Sequence, residues 1–193
     1  MVRSPRAFFV ARGFGRVLAF GGLLSLALVA ALVAAEDRAP PLPASTRIDR
    51  LVVFKGDHRL EAWSGERLVR SYRIAIGGGD AGPKRYEGDR RTPEGVYRID
   101  RRHRSRRFHR FLHVSYPNDE DRRRYAALRE RGEVPEGAGI GGDIGIHGES
   151  DVAAVRALDN RVDWTDGCIA VTDAEIEELY RAVIPNATLE IRP

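Results

Sequence analysis

The chain has 193 residues, 42% hydrophobic and 31% charged, which suits one globular domain with a real core and excludes a disordered chain. The net charge is +4 and the pI is near 9.6, values that invite a nucleic-acid reading. The charge distribution argues against that reading. Arg3, Arg6, Arg12 and Arg16 stand before the first acid, and taking these four from 32 basic residues leaves 28, against 28 acids, for residues 36–193. Those arginines precede an uncharged apolar run, Val17 to Ala35. As a helix it would span about 28 Å, close to a bilayer core. The positive flank favours a cytoplasmic start, and Val33-Ala34-Ala35 offers small residues for a signal peptidase. Residues 1–35 are therefore expected to be a cleaved signal peptide or an N-terminal membrane anchor. Residues 36–47, rich in Pro and Ala, read as a linker.

From there the pattern turns to short strands. Leu51 to Phe54, Arg59 to Trp63 and Leu68 to Ile76 predict a meander, with turns at Gly56-Asp57 and Ser64-Gly65. Gly77 to Gly95 is a long glycine-rich loop, the kind more often functional than idle. Strands are predicted at Gly95 to Asp100 and Arg110 to Tyr116. A charged helix is predicted from Asp119 to Gly132, started by Pro117 and Asn118. Asp143 to His147 reads as a short strand and Val152 to Leu158 as a further helix. Thr172 and Glu175 form a capping box for an apolar helix face of Ile176, Leu179, Tyr180 and Val183, ended by Pro185. Ala187 to Ile191 closes as a strand. The balance is mostly β, or α+β.

Cys168 is the single cysteine. An exported chain lies in an oxidising space, where a lone thiol is either partner-seeking or reactive, although a buried cysteine often acts only as a small hydrophobe. It follows a Gly turn in Asp163-Trp-Thr-Asp-Gly-Cys, where backbone N–H groups could hold an oxyanion. A thiol nucleophile needs a base. Of the histidines, only His147 follows an apolar strand and precedes Gly. His58, His103, His109 and His113 sit among charges or on predicted strands and are expected at the surface. The spacing of His109 and His113 could mark a metal pair on a helix, but their segment reads as strand, so no metal and no cofactor are expected. No phosphate loop and no Gly-x-Ser-x-Gly elbow is present. The run Arg101 to Arg110 carries six arginines. It reads as a solvated face, with anion binding as the alternative.

Three blocks in order then resemble the L,D-transpeptidase catalytic domain, of YkuD type. They are GPKRYEGDRRTPEGVYRI at Gly82 to Ile99, GGDIGIHG at Gly141 to Gly148 and DWTDGCIAVTDAEIEEL at Asp163 to Leu179. His147 is followed by seventeen residues and then Thr165-Asp166-Gly167-Cys168, which is similar to the family signature. The resemblance covers residues 48–193 and implies a mostly-β sandwich-like catalytic domain with a few helices. It implies Cys168 as nucleophile, His147 as general base, and the Gly148 carbonyl orienting His147. Asp166, Gly167 and Cys168 would supply oxyanion N–H groups. The implied reaction is acyl transfer at meso-diaminopimelate in peptidoglycan stem peptides, in the periplasm or cell envelope. The DWTxGCIAVT wording resembles a branch that includes an enzyme detaching a lipoprotein from the wall. A carboxypeptidase or amidase, or a wall-linked lipoprotein as partner, is therefore the alternative. An inactive wall-binding module is the reading from another class.

Two positions depart from the family pattern. Asp166 stands where a His is usual, and its charge would raise the thiol pKa if it pointed inward. Ala170 stands where an Arg is common. Arg90, Arg91 or the Arg101 to Arg107 run could replace that Arg, and Thr165, Arg90 and Arg91 are the candidate substrate-binding residues. Membrane contact is expected only through the N-terminal segment, and nucleic acid is not an expected partner.

Overall fold

Alternating apolar residues build the first sheet half. In the computed structural model, which describes residues 40–149 and 162–193, β1 (Ile48–Phe54), β2 (Arg59–Ser64) and β3 (Arg67–Arg73) form the expected antiparallel meander. Leu60 and Ala62 of β2 point into the core, while β1 is central and buries Leu51, Val52 and Val53 in succession. A strand covered on both faces loses the alternation of one covered on a single face. The N-terminal segment before residue 40 and the expected helix at Val152 to Leu158 lie outside the described residues. Among the described residues no helix is long and apolar enough to cross a membrane.

Eight strands make one sheet in the order β3-β2-β1-β8-β4-β5-β6-β7. β4 (Gly95–Ser105) joins its two halves. Its first residues pair with β8 (Val183–Arg192) and its later ones with β5 (His109–Val114). A register shift between Ile99 and Arg101 marks the change of partner, as a bulge that bends a strand does. The sheet therefore curls, and residues of both halves, such as Leu51 and Leu112, meet in one core. The expected mostly-β class holds.

Two described helices accompany this sheet, and the second packs directly on it. α1 (Asp119–Glu130) starts at Asn118, which forms a capping box with Asp121. α2 (Asp173–Ala182) has the expected box of Thr172 and Glu175 and buries Ile176, Leu179 and Ala182. Pro185 does not end α2. The helix stops at Ala182, and Pro185 lies within β8. There the pairing with β1 jumps from Val183 to Thr188. A residue without an N–H is tolerated in such an unpaired stretch. Leu42 is buried in the core, its N–H donates to Glu178, and its carbonyl accepts from Arg181.

Candidate active site

β6 (Gly145–His147) and β7 (Ile169–Ala170) are adjacent parallel strands, with Ile146 opposite Ile169 and His147 opposite Ala170. Opposed residues of parallel strands share a face, and so do residues two apart. Cys168, two before Ala170, therefore lies on the face of His147. The sequence ties this pair of strands to a third segment. After β3 the chain continues through Ile74, Ala75 and Ile76, and Ala75 exchanges both backbone hydrogen bonds with Ala170 at 3.1 and 2.8 Å. This explains why the predicted strand ran on to Ile76: the apolar pattern persists, but the partner changes from β2 to the segment after the cysteine.

His147 is almost fully buried. Its Nδ1 lies 2.9 Å from the Gly148 carbonyl. A carbonyl can only accept, so Nδ1 carries the proton and Nε2 keeps a free lone pair. Phe108 packs 4.2 Å from the imidazole centroid, and Phe111 and Trp164 lie at 6.2 and 6.1 Å. Burial in this aromatic box pushes the imidazole pKa down; the Gly148 hydrogen bond and the Glu149 charge oppose it, while the Arg107 charge adds to it. The absence of a side chain at Gly148 is required by packing. A Cβ there would stand 2.4 Å from Asp173 Oδ1 and 2.7 Å from Ile176 Cγ2 at the start of α2.

The Cys168 thiol donates to the Asp143 carbonyl at 3.6 Å, a weak contact. Burial raises its pKa, and the Asp166 and Asp143 charges add to this; a hydrogen bond from the Gly145 backbone and the Lys84 charge oppose it. Both shifts favour the neutral form of each group.

The turn carrying the thiol is fixed from within. Thr165 Oγ1 accepts from the Gly167 N–H at 3.1 Å and donates to the Cys168 carbonyl at 2.7 Å. Gly167 has φ +126, and a Cβ there would stand 2.8 Å from the Arg91 carbonyl. Only glycine meets both conditions. Thr165 is also bonded on both backbone sides, to Ile76 and Gly78.

A family model for the L,D-transpeptidase catalytic domain, YkuD, matches residues 48–191. The chain belongs to this family. The YkuD domain of this chain is also similar to solved structures. The helical cell shape determining protein Pgp2 from Campylobacter jejuni is 24% identical, with a TM-score of 0.54 over 77% of this chain and 48% of that one. Bd1075 from Bdellovibrio bacteriovorus is 20% identical, with a TM-score of 0.50 over 79% of this chain and 54% of that one. These likenesses concern the fold, and the chain spans about half the length of both proteins. No curated protein matches the chain in sequence.

Within this YkuD domain, the residues expected around the site have specific partners. Thr165 is buried, and its hydroxyl bonds within the turn. The Gly167 N–H donates to Thr165 Oγ1. Asp166 points outward, with its side chain 91% exposed, and pairs with Arg90 at 3.2 Å. Arg90 also donates to the Trp164 carbonyl, so it braces the turn from outside. Arg91 pairs with Asp80. His58 is not a plain surface residue: its Nε2 meets Asp163 at 3.1 Å, and Asp163 Oδ1 also accepts from the Ile76 N–H. His113 is likewise buried, held between Asp100 and Arg101. His109 and His113 lie on β5, the strand that their segment predicts.

Sequence reading also missed the Lys84–Asp89 pair. It is buried, with a 2.7 Å contact and side chains 4% and 3% exposed. Asp89 accepts from the N–H groups of Arg85, Tyr86 and Arg91 as well. Burial pushes its carboxyl up, but these bonds and the Lys84 charge pull it below the usual range. The glycine-rich loop thus folds around one carboxylate. The only prior signal was a Lys and an Asp five apart in a segment otherwise built for turns.

Proposed function

We propose that this domain is a cysteine-dependent L,D-transpeptidase acting through an acyl-enzyme on meso-diaminopimelate-containing peptidoglycan stem peptides. The observation that carries the reading is the placement of Cys168 and His147 on one face, with Nδ1 held by Gly148 and Nε2 free. Cys168 Sγ attacks the carbonyl carbon that links diaminopimelate to the terminal D-Ala, and its proton passes to His147 Nε2. The N–H groups of Asp166 and Cys168 stabilise the oxyanion. Collapse of the tetrahedral intermediate breaks the C–N bond, and His147 returns the proton to the departing D-Ala amine. An amine of a second stem then attacks the thioester, passes a proton to His147, and restores the thiol as the new amide forms. The Gly148 carbonyl orients the imidazole where a carboxylate does so in other triads. Acting in the cell envelope follows from this substrate, with residues 1–35 as signal peptide or anchor, residues 36–47 as linker and residues 48–193 as the catalytic domain.

The test is mass spectrometry of tetrapeptide muropeptides incubated with the protein, with and without an amine acceptor. A cross-linked dimer is the expected product, and a shortened stem alone would assign a carboxypeptidase. Release of a peptide or protein already joined to the stem would assign an amidase. Equal product from Cys168→Ala would overturn the nucleophile, and no product from any substrate would leave a wall-binding module.

A further inference from the structure

Six arginines occupy the β4–β5 hairpin, and the fold uses three of them. Arg101 donates to His113, Arg102 donates to the carbonyls of Tyr180 in α2 and of Val183 just after it, and Arg110 pairs with Glu177. Arg104, Arg106 and Arg107 are exposed, and no carboxylate pairs with them among the described residues. The exposed arginines of α1 differ, because Asp119, Glu120, Asp121 and Glu130 on the same helix balance them. The hairpin tip has no such balance, with Asp100 at its base the only acid between 100 and 110.

The tip also adjoins the catalytic imidazole. The Arg107 guanidinium lies 5.0 Å from the Phe108 ring centroid, and that ring packs 4.2 Å from His147. The Phe108 carbonyl accepts from the Gly148 N–H at 3.1 Å, so the tip is fastened to the residue that orients His147. Unpaired guanidinium groups beside a cleft attract and orient anions, and their planar forks match carboxylates. The four residues Arg104 to Arg107 span at most about 14 Å. That length fits a short ligand with a few carboxylates better than a long polyanion, and the remainder of residues 36–193 offers no net positive track.

We infer that Arg104, Arg106 and Arg107 form a carboxylate-binding subsite that draws an acidic stem peptide onto the His147 side of the site. The inference rests on the proposed catalytic use of Cys168 and His147. It gives this chain a cationic group for substrate although position 170 is a buried alanine.

The experiment compares the whole chain with R104Q/R106Q/R107Q and with R122Q/R123Q/R129Q, which removes the same charge from α1. The probes are a fluorescent tetrapeptide stem with free carboxylates and the same peptide with its carboxylates amidated. The tip variant is expected to bind the free-acid peptide about tenfold more weakly, with a shallower dependence on NaCl. The α1 variant should match wild type, and the amidated peptide should bind all three proteins alike. In turnover, the tip variant should raise KM with kcat within about twofold. Equal binding of the free-acid peptide by all three proteins would overturn the subsite, as would equal weakening in both variants. A Cys168→Ala chain separates the two readings: if it turns over normally while the tip variant still binds weakly, catalysis is misassigned and the subsite stands.

Discussion

The turn that carries Cys168 and the hairpin tip flank the same imidazole and are built in opposite ways. In the turn, Thr165, Gly167 and Arg90 leave little freedom: hydroxyl, backbone and guanidinium groups are spent on internal bonds. At the tip, Arg104, Arg106 and Arg107 are exposed, with no carboxylate partner among the described residues. Groups that must hold a reacting atom within a fraction of an ångström need a rigid support. Groups that attract a charged ligand from solution need exposure instead. Under the proposed function, the contrast separates positioning from capture within one site.

Substitutions can break this contrast from either side. The largest stability effect is expected at Asp89, the carboxylate around which the glycine-rich loop folds. Asp89→Ala leaves Lys84 buried without a partner and should cost about 3–5 kcal/mol in urea denaturation. Because the Asp89 carboxyl is held below its ordinary value, its contribution should be full at neutral pH and vanish as pH falls through the folded-state value. Thr165→Val removes an acceptor for Gly167 and a donor to Cys168, and should cost about 1–3 kcal/mol. Its effect on turnover should appear in kcat, since the turn carries the thiol. The triple hairpin variant should sit at the other extreme, changing stability by no more than about 0.5 kcal/mol while weakening binding. A tip variant that unfolds as readily as Asp89→Ala would erase the distinction.

A smaller effect concerns the protonation of the pair. Burial lowers the His147 pKa and raises that of Cys168. The thiolate therefore forms late as pH rises. Alkylation of Cys168 by iodoacetamide should still be accelerating above about pH 8.5, the ordinary thiol value. A rate plateau below pH 7 would mean a preformed thiolate–imidazolium pair.

Much of the sheet was legible because its core faces alternate. Leu60 and Ala62, or Ala187, Leu189 and Ile191, declare their strands by period alone. The caps of α1 and α2 were legible because capping residues carry their own chemistry. Boundaries failed where tertiary pairing decided them. Ile74 to Ile76 look like the end of β3 yet pair with the cysteine segment, and Pro185 reads as a helix stop yet lies in an unpaired stretch of β8. In the site, Cys168 and His147 stood out by type and spacing. Their supports did not. Asp163 meeting His58 is a contact over a hundred residues in length, and Phe108 lay hidden in a basic run. For Thr165, sequence shows a hydroxyl near Cys168 but not which way it bonds.

The most direct measurement is intact-protein mass after acid quenching of a reaction with a tetrapeptide stem and no amine acceptor. Wild type should gain the mass of the stem tripeptide acyl group, mapped to the peptide containing Cys168, and Cys168→Ala should gain none. Product released at equal rates by both proteins, with no adduct on either, would contradict covalent catalysis by this cysteine.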